Sequence, residues 1–309
     1  VIHSWPIESR AEWLGRRRKN VNASEVAALF GADVHPYLSP FKLWALKCGK
    51  AEDEAETPAM RRGKLFEPVV IEILREDHPD WRLHPATSYL WDDESRIGCT
   101  PDCYAERADI QGHGVVQIKT VGSYAFKRMW HDEDGDVAVP TWVAVQASVE
   151  AYLTGAVWAA VAALRLGDGG IDIALCDIPL KPHLIHKIED LVGEFWRRVD
   201  ANDPYEPDFG RDRKLVFDLY AEGHGPPIDL TDDAEFRQWL DTRARFKDLE
   251  KAGEVAATER KALDARIIHR MGNAPAASCA SRIVSVKVVK KRAYSVKAQQ
   301  YPLLSVKGV

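Results

Sequence analysis

The 309-residue sequence has no clustered set of cysteines. Cys48, Cys99, Cys103, Cys176 and Cys279 are odd in number and widely scattered, which argues against a disulfide framework and fits a reducing cytoplasm. The closest pair, Cys99 and Cys103, is C-x3-C with no second pair or adjacent histidine to complete a tetrahedral zinc site. A long apolar run is also missing. The most apolar segment, Trp142 to Leu166, carries Gln146, Glu150 and Arg165 and is broken near Gly155, whereas a membrane span needs ~20 largely apolar residues. No charged-then-apolar leader opens the sequence, so the expected location is cytoplasmic, with no membrane partner. There is no internal repeat and no low-complexity tract.

What is present is ordinary for a globular protein: 46% hydrophobic and 29% charged residues. The length suits one large domain or a domain with an appendage, at roughly 100 to 200 residues per domain. Net charge is -5, which taken alone points to no nucleic-acid partner. Its distribution says more. Arg282, Lys287, Lys290, Lys291, Arg292, Lys297 and Lys307 follow one another with no acid between them, and "RRRK" spans Arg16 to Lys19. Two basic ends on an acidic body suggest local phosphate contacts, or else solvated surface charge.

The patterning predicts a short helix over "NASEVAALFGAD", capped by Asn22 or Ser24 and ended by Gly31, where a phosphate could sit. Further helices are expected from about Pro40 through Cys48 and from about Thr57 to Asp77. "TSYLWD" and "IGCTPDCYAE" then read as short strands, "QGHG" as a turn and "GVVQIKTV" as a buried strand. A helix from about Thr141 to Leu153 precedes a hairpin, "VWAAVAALRL" and "IDIALCDIPL" joined by "GDGG". "PHLIHKIEDLVGEFWRRVDAN" is an amphipathic helix. Gly, Pro and charge make 209–230 a linker by composition. Residues 231 to 271 read as one long helix or, because of Gly253, a helical hairpin, with Phe236, Leu240, Phe246, Leu249, Leu263 and Ile267 inward. "RIVSVKVV" and "AYSVKA" read as strands around a basic turn.

The chemistry-bearing residues fall in one order: a helix with Glu67, a strand ending in Pro101-Asp102, a strand with Gln117-Ile118-Lys119, and a helix with Gln146. Phosphodiester hydrolysis near neutral pH needs a metal to activate water and stabilise charge on the phosphate. Magnesium prefers oxygen ligands, one or two carboxylates with waters retained. Asp102 and residue 117 could converge on such an ion. Positions 117 and 119 share one strand face, so Lys119 is delivered beside it, while Ile118 points to the core and offers its carbonyl. His183 and His186 sit one helical turn apart but have no carboxylate cluster beside them. Trp5, Trp13, Trp44 and Trp91 read as packing groups rather than base-stacking ones.

The ordered pieces "NASEVAALFG", "SPFKLWALKCGK", "RRGKLFEPVV", "GCTPDCYAE", "VVQIKTV" and "VAVQASVEAYLTG", from about Arg16 to Gly155, resemble the YqaJ-like viral recombinase or phage lambda exonuclease family of the PD-(D/E)XK nuclease superfamily. The resemblance implies an α/β fold, a central mixed sheet of about five strands flanked by helices, with a C-terminal helical and β extension. It implies an exonuclease domain over 1–208, the linker 209–230, and a helical region with a basic β-hairpin over 231–309. Carried over by residue, Asp102, Gln117, Glu67 and the Ile118 carbonyl would hold one or two Mg2+ ions, with Mn2+ able to substitute, and Lys119 would be the catalytic lysine. Gln146, Ser24 and Arg17 or Arg18 would contact DNA, and the basic tail suggests Lys290, Lys291 and Arg292 as further contacts. The implied activity is 5′→3′ digestion of double-stranded DNA ends, leaving 3′ single-stranded overhangs for recombination. A ring-shaped homotrimer, a single-strand annealing partner and a phage or prophage origin in a bacterial host come from the resemblance alone.

The family asks for Glu or Asp where this chain has Gln117. An amide keeps a carbonyl oxygen but lacks the charge that favours a divalent ion, so affinity and turnover should fall. Three readings stand: a substitution made to trap an uncleaved complex, a natural variant, or an inactive DNA-end binding relative. Retention of Asp102, Lys119 and Glu67 tells against long decay. A structure-specific endonuclease on the same core is a further alternative.

Overall fold

The computed structural model describes residues 1–31, 34–53, 55–167, 170–250, 253–291 and 299–308. They group into two units, Val1–Pro204 and Tyr205–Val309. In chain order the first unit holds β1 (Ile2–Pro6), α1 (Arg10–Arg18), β2 (Val21–Asn22), α2 (Ala23–Val26), α3 (Pro40–Lys47), α4 (Pro58–Asp77), β3 (Arg82–Pro85), β4 (Ser88–Asp92), β5 (Ile97–Cys99), β6 (Cys103–Arg107), β7 (Ile110–Gly122), α5 (Ser123–Met129), α6 (Thr141–Thr154), β8 (Trp158–Gly167), β9 (Gly170–Ile178) and α7 (Pro182–Asp200).

Five strands form a mixed sheet in the order β3-β6-β7-β8-β9, so the chain has the mixed α/β architecture expected of it. Only β7 and β8 run parallel, in register from Gly114 opposite Trp158 to Gly122 opposite Leu166. A parallel pair needs a crossover, and α5 and α6 supply it. Alternation along β7 divides its side chains between two cores. Val116 and Ile118 pack with Val70, Ile71 and Leu74 of α4, whereas Val115 and Val121 pack with Val143, Ala147 and Ala151 of α6. The two helices therefore cover opposite faces of the same strand.

Three local expectations are corrected. "IGCTPDCYAE" is two strands in different sheets: β5 joins the smaller sheet β1-β4-β5-β2 and β6 joins the large one. Pro101 cannot donate to a ladder, so the chain changes sheets at Thr100-Pro101-Asp102. "QGHG" is not a turn but lies within β7, and the reversal comes earlier, between Arg107 and Ile110. Its glycines serve close packing instead. A Cβ on Gly114 would fall 2.1 Å from the Trp158 indole, and Gly112, at φ +110°, faces Val157. The helix over "NASEVAALFG" is only the four residues of α2 followed by a 3-10 turn, Ala27–Phe30. The strand β1 and the helix α1, which contains most of "RRRK", had no counterpart in the patterning.

The second unit holds α8 (Arg213–Tyr220), β10 (Ile228–Asp229), α9 (Ala234–Leu249), α10 (Glu254–Met271), β11 (Ala276–Cys279), β12 (Arg282–Lys291) and β13 (Gln299–Gly308), the strands in the order β10-β11-β12-β13. The stretch 209–230, a linker by composition, contains α8, and Phe217, Tyr220, Ala221 and Ile228 pack on this unit's core. Residues 231 to 271 form two helices on either side of Gly253, with Phe236, Leu240 and Ile267 buried, Phe246 and Leu263 half-buried and Leu249 exposed. "AYSVKA" lies outside the described residues, and the strand that pairs with β12 is the later β13.

Candidate active site

Asp102 stands at the start of β6, just where the chain enters the large sheet, and Gln117 and Lys119 project from one face of the neighbouring β7. Glu67 comes from α4 and Gln146 from α6, so the two helices on opposite faces of β7 both contribute. All five line one cavity of about 800 Å3, together with Arg62, Trp142 and Tyr37. The residues that the sequence singled out for the chemistry are thus brought together.

A continuous hydrogen-bond network joins most of them. Lys119 Nζ donates to Gln146 Oε1 at 3.0 Å. Gln146 Nε2 donates to Gln117 Oε1 at 2.7 Å and to Glu150 Oε1 at 2.9 Å. Gln117 Nε2 donates to Asp102 Oδ2 and, at 3.2 Å, to the Ile118 carbonyl. The Ile118 N–H donates to the same Asp102 oxygen at 2.7 Å. Ile118 packs in the core on the α4 side, and its carbonyl is engaged by its neighbour's amide.

The electrostatics are those of acids crowded away from water. Burial, then the charge of Asp102, push Glu67 up to about 7, against the pull of Lys119. Burial likewise raises Asp102 above the usual carboxylate range, while Lys119, the Ile118 N–H and the Gln117 amide oppose it. Glu150, four residues after Gln146 on the same face of α6, is raised well above its ordinary value by burial and by Asp102. Its sequence spacing could have flagged it, but a lone helix glutamate carries no sign of burial.

A divalent cation fits this donor set. Two acids line the cavity, and Glu150 Oε2 is buried with no hydrogen-bond partner. Positive charge is what such a cluster needs to ionise fully. Among the described residues no group of three or more His, Cys, Asp and Glu side chains is placed to hold a metal ion, and at 117 it is an amide that lies between Asp102 and Gln146.

The expected DNA-contacting residues divide. Arg17 Nη2 lies 3.4 Å from Ser24 Oγ and 3.3 Å from Glu25 Oε1, and its guanidinium covers the Trp13 ring. Against the burial that would raise it, Lys47 and Arg17 hold the Glu25 carboxyl below its usual range, with Lys47 Nζ 2.7 Å from Glu25 Oε2. Arg18 turns elsewhere and pairs with Asp53 at 3.0 Å. Neither Arg17 nor Ser24 lines the acidic cavity. Lys290 and Lys291 lie on β12 opposite Gln300 and Gln299, and Arg292 is outside the described residues.

Trp44 is buried, Arg16 stacks over both Trp5 and Trp91, and Trp13 Nε1 donates to Thr100 Oγ1 at 3.0 Å, all packing roles. Cys99 and Cys103 are buried in separate sheets, and burial pushes the Cys103 thiol up to about 12. Tyr37, 65% exposed and edge-on to Trp142 at 6.0 Å, stands at the cavity and was not singled out by sequence. No described helix is long and apolar enough to cross a membrane.

No curated protein sequence matches the chain. Among solved structures it is similar to an alkaline exonuclease, LHK-Exo, from Laribacter hongkongensis, at 19% identity and a TM-score of 0.48 over 62% of this chain and 94% of that one. It is also similar to a phage-related exonuclease from Haemophilus somnus 129PT, at 14% identity and a TM-score of 0.45 over 59% and 94%. The sequence model of the YqaJ-like viral recombinase domain matches residues 12–157, a span that contains Glu67, Asp102, Gln117, Lys119 and Gln146.

Proposed function

We propose that the cavity between α4, β7 and α6 hydrolyses phosphodiester bonds of double-stranded DNA, working 5′→3′ from an end and leaving a 3′ single-stranded overhang for phage-type recombination. The observation that carries this reading is the convergence of Asp102, Glu67, Lys119 and Gln146 on one cavity within the matched domain. Asp102, Glu67, the Ile118 carbonyl and the residue at 117 would hold one or two Mg2+ ions, with Mn2+ able to substitute, which would supply water activation and charge stabilisation at the phosphate. Lys119, hydrogen-bonded to Gln146, would balance negative charge growing on the scissile phosphate. Arg62, whose Nε is buried without a hydrogen-bond partner at the cavity, would meet a backbone phosphate. Arg17 and Ser24 would bind the terminal 5′-phosphate, and the basic strand carrying Lys290 and Lys291 would add further DNA contacts. The working unit would be a homo-oligomer, a ring-shaped trimer, that hands its overhang to a single-strand annealing protein in the host cytoplasm.

A second reading, a DNA-end binding protein without catalysis, is favoured by one observation: Gln117 meets Asp102 with an amide N–H donor and not with a second carboxylate. Incubating the chain and its Gln117→Glu form with linear and covalently closed duplexes in Mg2+ separates the readings. Degradation of linear DNA alone supports the exonuclease. Equal nicking of circles points to an endonuclease, and binding of ends without cutting by either form leaves only the binding protein.

A further inference from the structure

Glu150 is 1% exposed, and no basic side chain is hydrogen-bonded to it. One of its oxygens accepts from Gln146 Nε2 and the other has no partner. A buried carboxyl left this way is costly in its ionised form unless positive charge arrives nearby. The same Gln146 nitrogen also donates to Gln117 Oε1, so one amide ties the glutamate on the helix to the glutamine on the strand. Gln117 and Glu150 therefore flank Gln146 as an amide and an acid, whereas the family pattern puts the acid on the strand.

We propose that Glu150 takes over from α6 the acidic role that Gln117 lacks on β7, so that the amide at 117 belongs to a working metal site and not to a disabled one. Among the described residues Glu150 does not form a three-acid ligand group with Asp102 and Glu67. Its contribution is charge just outside the ligands, together with the orientation of Gln146, which sets both Lys119 and Gln117. Glu150 is a positioning residue in this account, and the inference rests on the proposed metal-dependent nuclease.

The test is calorimetric titration of Mn2+ into the full-length, metal-free chain and its Glu150→Gln, Gln117→Glu and doubly substituted forms, with thermal unfolding of each before metal is added. Loss of an outer partner of a metal ligand weakens affinity by roughly ten- to a hundredfold, and that is the shift expected for Glu150→Gln. The double form should regain the affinity of the parent, since the acid is back on the strand. That rescue is a readout that a purely packing role for Glu150 would not move. Parental affinity in Glu150→Gln, or a double form no better than Glu150→Gln, overturns the exchange. So does a Glu150→Gln form that fails to fold and is not restored by Gln117→Glu. Mn2+ uptake by Gln117→Glu but not by the parent overturns the exchange and leaves the nuclease reading standing. Uptake by none of the four forms overturns both.

Discussion

Gln146 Nε2 donates to Gln117 Oε1 at 2.7 Å, and this bond fixes which end of the Gln117 amide faces Asp102. A glutamate at 117 could still accept from Gln146, but it would set a second carboxylate against Asp102. Gln117→Glu should therefore lower the stability of the metal-free protein by ~1–3 kcal/mol, the cost of losing a buried hydrogen bond and leaving charge unpaired. Saturating Mn2+ should reverse the loss. Thermal unfolding with and without Mn2+ measures both, and an unchanged midpoint in the absence of metal would contradict the network.

Lys119 Nζ is held by Gln146 Oε1 at 3.0 Å. Lys119→Ala should cut turnover by about 10² or more, in the range of a lost charge-stabilising group, while DNA-end affinity stays within about threefold. Single-turnover cleavage and fluorescence anisotropy read the two separately. An equal loss in both would make Lys119 a binding residue.

The pH dependence follows from Glu67, lifted from 4.5 to about 7. Between those values the native protein holds a proton that the unfolded chain has released. Stability of the metal-free protein should thus fall as pH rises through this window and level off above it. Glu67→Gln should flatten the slope. Urea midpoints at pH 5 and 7.5 for the two proteins give the answer.

Lys47 has a side chain only 4% exposed and is paired with Glu25. Lys47→Met leaves that carboxylate with Arg17 as its one cationic partner beside the Asn22 amides and should cost ~3–5 kcal/mol, the scale of breaking one partner from a buried pair. Arg17→Ala should reduce preference for 5′-phosphorylated over 5′-hydroxyl ends, and Arg18→Ala, whose side chain pairs with Asp53, should not. Competition binding with the two kinds of end distinguishes them.

The site was more legible in the sequence than the fold around it. Lys119 and Gln117 could be placed together because period-two alternation is a covalent consequence of the strand. Asp102 was marked by its place at a strand end, beside the strand that carries residue 117. Glu150 went unread because burial is a tertiary property, and its spacing from Gln146 suits a solvated helix face equally well. Gly112 and Gly114 looked like a turn because glycine is equally suited to close packing, and only Trp158, more than forty residues later, decides between the two. The linker reading of 209–230 rested on polar composition, which does not record that Phe217 and Tyr220 have a core to meet.

The most direct measurement is release of a 5′ label from linear duplex DNA by the Gln117→Glu form in Mg2+, beside the same form carrying Asp102→Ala. The account predicts rapid release that stops on chelation and is lost with Asp102. Release that survives Asp102→Ala, or no release in Mg2+ or Mn2+ from a form that binds DNA ends, would contradict it.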